Sequence, residues 1–119
     1  MPLHIAAPQR IPVPGGKIID EYVGRANTGS ESVSVARMNA PGGWEEPAQT
    51  PEFDEVTLVL RGTLRVEHAD GTMEVGPGEA VLCQAGERVR YTTPSREGAE
   101  YVAICLPAFS PDLAQRDPA

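Results

Sequence analysis

Histidine is nearly missing from this chain, which has two in 119 residues, His4 and His68. A divalent transition-metal centre is ordinarily built from several imidazole or thiolate donors, and two scattered histidines do not supply that set. Cysteine is as scarce. Cys83 and Cys105 both sit inside apolar, strand-like runs, where a free thiol behaves as a small buried hydrophobe. A disulfide between them is open but unneeded, and no Cys-x-x-Cys spacing points to zinc or redox work. Basic residues are also in deficit, with 10 Lys+Arg against 17 Asp+Glu and a net charge of −7. No stretch joins basic to aromatic side chains, so the footprint of a nucleic-acid binder is absent. Long apolar runs are missing too. The N-terminus "MPLHIAAPQRIPVPGG" has neither a basic start nor a continuous apolar core, so neither a membrane span nor a signal peptide is expected. The expectation is a soluble, cytoplasmic protein with no nucleic-acid or membrane partner.

What the chain does have is turn chemistry and short strands. Twelve Gly and 12 Pro punctuate "SVSVARM" (32–38), "VTLVL" (56–60), "TLRVEH" (63–68), "EAVLC" (79–83), "RVRYTT" (88–93) and "EYVAICL" (100–106). "HADGT" reads as a hairpin turn, and "GPGE" and "QAGE" as tight turns. Only "SPDLAQRD" suits a helical turn, while "DEYVG" near residue 20 is ambiguous. There is no repeat, linker or low-complexity tract, so the prediction is one all-β domain, a sandwich or barrel, over 1–119. Within it, 1–29 is an N-terminal arm, 30–107 the barrel and 108–119 a tail.

One motif stands out in this frame. In "PEFDEVTLVLRGTL" Glu55 precedes Gly62 by seven positions, Gly42 or Gly43 stands upstream, and Gly78 and Gly86 frame a second segment. The chain thereby resembles a cupin, whose first motif sets a His-x-His pair between such a Gly and Glu, and whose second carries Pro, His and Asn. Here the first pair falls on Ala48 and Thr50, or in the shorter register on Gln49 and Pro51. The second-motif positions fall on Gln84, Val89 and Thr93. The stretches "FDEVTLVLRGTLRVEH", "GTMEVGPGEAVLCQAG" and "YTTPSREGAEYVAICLPAF" are similar to EutQ-like cupins of the ethanolamine-utilisation type, which also lack these histidines. The resemblance implies a double-stranded β-helix, or jelly-roll barrel, without a metal or other cofactor. No Gly-rich phosphate loop is present, so that family's acetate kinase activity is not carried over.

Strand alternation selects the candidate site. Residues two apart share a face, which sets Glu55, Thr57 and Val59 on one side of their strand and Val56, Leu58 and Leu60 on the other. Both faces are apolar enough to need cover, so a homodimer is expected. Tyr91 shares the inward face with Val89. A carboxylate at the start of an apolar barrel strand is desolvated, which raises its pKa and suits acid/base work near neutrality. Glu55, Tyr91 and Lys17 are the candidate catalytic residues; Glu46, Gln49, Arg37, Trp44 and Thr57 are the candidate substrate contacts. Arg37 is inside if its strand runs on, and exposed if the strand ends early. "LPAFSPD" is expected to fold back over the mouth and to give Asp112 a rim position. Three function classes stay open: a metal-independent acid/base enzyme of isomerase, dehydratase or cyclase type acting on a small hydroxylated or carboxylated molecule; a ligand-binding or accessory module; and a weak carboxylate metal site on Glu46, Gln49 and Glu55.

Overall fold

Ten antiparallel strands arranged as two facing sheets make up the fold in a computed structural model that describes residues 1–118. In chain order they are β1 (Gln9–Ile11), β2 (Ile18–Val23), β3 (Ser34–Ala40), β4 (Trp44–Glu45), β5 (Asp54–Gly62), β6 (Leu64–His68), β7 (Gly71–Val75), β8 (Ala80–Cys83), β9 (Arg90–Thr93) and β10 (Ala99–Leu106), followed by one helical turn, α1 (Pro111–Ala114). One sheet has the order β1-β2-β3-β10-β5-β8 and the other β4-β9-β6-β7. This is the expected all-β jelly-roll class. Among the described residues no helix is long and apolar enough to cross a membrane.

The strands read from the sequence are present, and the alternation on β5 is as expected: Glu55, Thr57 and Val59 are buried, while Leu58 and Leu60 are exposed. Four further strands go beyond that reading. β1 and β2 come from the arm, where they extend the larger sheet beside β3; β4 is only two residues long. β7 completes a hairpin with β6 around Ala69 and Asp70, with His68 opposite Gly71 in the register. The tail forms α1, capped by the Ser110 hydroxyl, which accepts from the Leu113 N–H at 3.2 Å.

Inward residues of both sheets make the main core, including Trp44, Val59, Leu64, Val66, Val75, Val81, Val89 and Tyr101. A second cluster, Phe53, Cys105 and Ala114 with Phe109 and Leu113, packs the tail against the end of β10. The barrel is closed at its far end by loops that approach at backbone distance. A Cβ on Gly62 would overlap the Gly98 carbonyl, one on Gly98 the Ala40 carbonyl, and one on Gly42 the Arg96 carbonyl. Thus the motif glycines Gly42 and Gly62 are there for space.

Candidate functional site

Near the start of β5, Glu55 points inward, between two cysteines in the register, Cys83 on β8 and Cys105 on β10. That row opens into a cavity of about 310 Å3, walled by both sheets and closed over by the two ends of the chain. The β1–β2 connection brings Pro12, Val13, Pro14 and Lys17 to the mouth, and the tail brings Phe109, Pro111 and Arg116. The tail is fixed by backbone bonds: the Asp117 N–H donates to Ala48 O at 2.8 Å and the Thr50 N–H to Gln115 O at 3.1 Å. The expected fold-back of "LPAFSPD" therefore closes the mouth, although Asp112 itself is exposed.

Glu55 is 8% exposed, and its carboxyl has no hydrogen bond or ion pair among the described residues. Burial, and after it the charge of Glu46, pushes its pKa up to about 7, against the opposing pull of Lys17 and Arg116. Glu46 is raised in the same direction by burial, while Lys17 and Arg116 pull it down. Lys17, the chain's single lysine, is lowered by burial. Its ammonium lies 4.2 Å from the ring centre of Trp44 and 5.5 Å from that of Tyr101, a cation-π setting. Arg116 stands 4.0 Å from the Glu46 carboxylate, donates from Nε to Gln49 Oε1 at 3.4 Å and lies over the Phe109 ring.

Of the residues expected at the site, Glu55, Glu46, Gln49, Lys17 and Tyr91 line the cavity. Tyr91 does not bond Glu55, however. Its hydroxyl donates to Cys83 Sγ at 3.3 Å, because β9 delivers the phenol beside β8. Trp44 walls a smaller adjoining recess of about 90 Å3, together with Lys17 and Arg116. Thr57 is buried on the right face but is not on the cavity wall, and its hydroxyl has no partner among the described residues. Arg37 is outside. β3 continues to Ala40 with Ser34, Ala36 and Ala40 buried, so strand phase turns Arg37 outward, where it pairs with Glu100.

Three further cavity residues, Tyr101, Cys105 and Arg116, are not among the candidates that the sequence suggests. Tyr101, Ala103 and Cys105 alternate on β10 and are available to the same phase rule that finds Glu55. Arg116 gives no local signal, since its placement depends on the tail's pairing with Gln49.

The donor set does not fit a histidine-based metal centre. Gln49 and Val89, which stand in motif slots, face one another through paired backbone bonds of 2.8 and 2.9 Å, and Val89 has no ligating atom. Among the described residues no three His, Cys, Asp or Glu groups come together to hold an ion.

Comparison with known proteins agrees with this architecture. The family model described as "Cupin domain" matches residues 37–105. The chain is 46% identical over 107 residues to "Endoribonuclease YbeY" of Myxococcus xanthus, an alignment covering 90% of this chain and 36% of that protein, so the chain spans about a third of that relative's length. Oxalate decarboxylase from Bacillus subtilis superposes with a TM-score of 0.80 at 19% identity, over 96% of this chain and 31% of that one. A putative ethanolamine utilization protein Q from Salmonella typhimurium superposes with a TM-score of 0.61 at 19% identity, over 78% of this chain and 71% of that one. At these identities the two structures speak to the fold alone.

Proposed function

The chain belongs to the cupin family, and on that footing we propose a small-molecule cupin, of the EutQ-like type without the histidine ligand set, that performs acid/base chemistry on a hydroxylated or carboxylated substrate. The observation that carries this reading is the unpartnered Glu55 carboxyl on the cavity wall. A glutamate buried for structural reasons is tied down, as Glu21 is: its Oε2 accepts from the Ala26 and Asn27 N–H groups at 2.9 and 3.0 Å. Glu55 has no such ties among the described residues. A carboxyl titrating at about 7 both takes and returns a proton near neutrality, which is what an isomerase, dehydratase or cyclase needs. Lys17 and Arg116 supply positive charge on the same wall, able to steady an anion formed when Glu55 removes a proton.

The test is proton exchange. Wild-type protein incubated in D2O with α-hydroxy, β-hydroxy and α-keto acids is expected to wash deuterium into an acidic C–H position, followed by NMR. Ligands that bind without exchange or turnover would sink the enzyme reading.

A ligand-binding module is the second reading, favoured by the match to a segment of a longer protein that carries another activity's name. Binding without turnover belongs to it.

The reading includes a homodimer on the outer face of the larger sheet. There Leu58, Leu60, Leu82 and Leu106 are exposed beside Val56 and Ile104, with Leu82, Val56 and Ile104 in one row of the register. A two-fold axis sets one copy of this self-complementary patch on the other, whereas a lone domain leaves it wet. Light scattering at micromolar concentration is expected to give a dimer mass, and Leu82→Glu a monomer. A monomeric wild type would remove the dimer.

A further inference from the structure

Three polar groups on the cavity wall are left unused by the fold. Among the described residues Glu55 accepts no hydrogen bond, and Lys17 has only the two aromatic rings near its ammonium, with no carboxylate in ion-pair range. The third is the Tyr101 hydroxyl, buried without a partner among the described residues, on a residue that is 3% exposed and lines the cavity. Two other buried hydroxyls near the cavity are satisfied, since Thr93 donates to Pro41 O at 2.7 Å and Ser34 accepts from the Phe109 N–H at 2.9 Å, while Thr57, off the cavity wall, is the second one without a partner among the described residues. An unpaired buried hydroxyl destabilises the fold, so a ligand that engages it recovers free energy.

Two cations, Lys17 and Arg116, and three carboxyls, Glu21, Glu46 and Glu55, line this volume, with Glu21 held by the Ala26 and Asn27 N–H groups. Arg116 and Glu46 face each other at 4.0 Å, whereas the Lys17 ammonium, though it feels the charges of Glu46 and Glu55, has no carboxylate within ion-pair distance among the described residues. The ammonium lies 5.5 Å from the Tyr101 ring centre, and a carboxylate accepts from an ammonium and from a phenol alike. Glu55 in turn complements a hydroxyl or an acidic C–H on the same ligand. Most of the remaining wall is apolar, with Ile11, Ile19, Met38 and Phe109, although Ser34 and Gln49 also border it. As to size, cavities of roughly 150 Å3 hold benzene, so about 310 Å3 admits a body of about a dozen non-hydrogen atoms.

We infer that the cavity takes an amphiphilic organic acid, with its carboxylate at Lys17 and Tyr101, its reacting group at Glu55 and an apolar body against Ile19, Met38 and Phe109. This rests on the cavity being the functional site proposed above, but not on Glu55 performing chemistry. It narrows the substrate class from small polar acids to acids with a hydrophobic portion.

Phenylpropanoate is a suitable probe, with phenylpropylamine as its cationic counterpart and lactate as the short polar acid. In NMR titrations of the full chain, phenylpropanoate is expected to bind saturably, and lactate and the amine to bind at least about tenfold more weakly. Lys17→Met should weaken phenylpropanoate about tenfold, and Tyr101→Phe, which keeps the ring and the packing, by a smaller factor. Because Lys17 is the only lysine, amine-directed labelling read by peptide mass spectrometry reports it directly. Bound phenylpropanoate should protect it, a readout independent of any variant's folding. Equal binding of the amine, tighter binding of lactate, or no binding by any acid with Lys17 labelled at an unchanged rate would each overturn the inference. Two separate readouts on wild-type protein distinguish this result from the acid/base reading: phenylpropanoate binding tests the ligand class, and deuterium exchange into a substrate tests the chemistry. Binding without exchange in wild type leaves the ligand class standing and removes the enzyme.

Discussion

Glu55→Gln is expected to lower the rate of proton exchange or turnover by about a hundredfold or more, while the protein stays folded. Gln keeps the shape of the side chain and removes the titratable group. The same variant has a predictable signature in stability. The Glu55 carboxyl has a pKa of about 7 in the folded chain against an ordinary value of 4.5, so the native state holds more protons than the unfolded state between those values. Stability must therefore fall as pH rises through that window, by on the order of 3 kcal/mol for this group. The Gln variant lacks that slope. Relative to wild type it gains stability above pH ~7, and the gain vanishes below pH ~4.5. Chemical denaturation at several pH values reads this directly. If turnover survives Glu55→Gln while Glu55→Ala unfolds the chain, Glu55 is a structural residue and the binding-module reading takes over.

Gly98→Ala should be among the most damaging single-methyl changes in the protein. Gly98 has φ +66, and an added Cβ would overlap the Ala40 carbonyl and crowd Pro41, which are backbone atoms that cannot swing away. Left-handed strain alone costs an L-residue about 1 kcal/mol, and the backbone overlap adds enough to bring the total to ~3 kcal/mol or more. That is a large share of a small domain's total stability, and it should lower the melting temperature by roughly 10 °C or more. Gly78 is the control. It has φ +79 with nothing within 4 Å of an added methyl, so Gly78→Ala carries only the left-handed cost. Equal melting temperatures for the two variants would show that the loop approach at Gly98 is softer than its geometry implies.

How much of this is legible in the sequence depends on which signal each residue leaves. Strand phase has a period of two and is unforgiving, so Glu55 and its neighbours on β5 fall on the right faces, and the motif glycines locate the closing loops. The same rule is ambiguous for Arg37. Its phase with Val33 and Val35 points inward only if those valines do, and the outer face of this sheet is itself apolar. β2 is hard to read for a related reason. Ile18 is exposed on one face, while Ile19 and a buried Glu21 lie inside, so polarity does not report direction. Tyr91 takes the inward face but not the expected partner, since phase says where a side chain points and not which neighbour it reaches. Arg116 and the tail lie beyond local reasoning altogether. Their positions come from pairings between residues far apart in the chain, such as Gln49 with Arg116.

Those distant pairings carry a consequence for how the protein comes into being. Vectorial synthesis delivers Ile11 and Lys17 early, Glu55 midway and Arg116 almost at the end of the stretch described, yet all four border one cavity. A nascent chain stalled after β10 would have all ten strands of its two sheets but only the β1–β2 side of its mouth, and so would hold its ligand poorly. Ligand capture is thus a timestamp for the last step of assembly: in ribosome-release experiments it should lag the burial of Trp44, which belongs to the main core rather than to the tail.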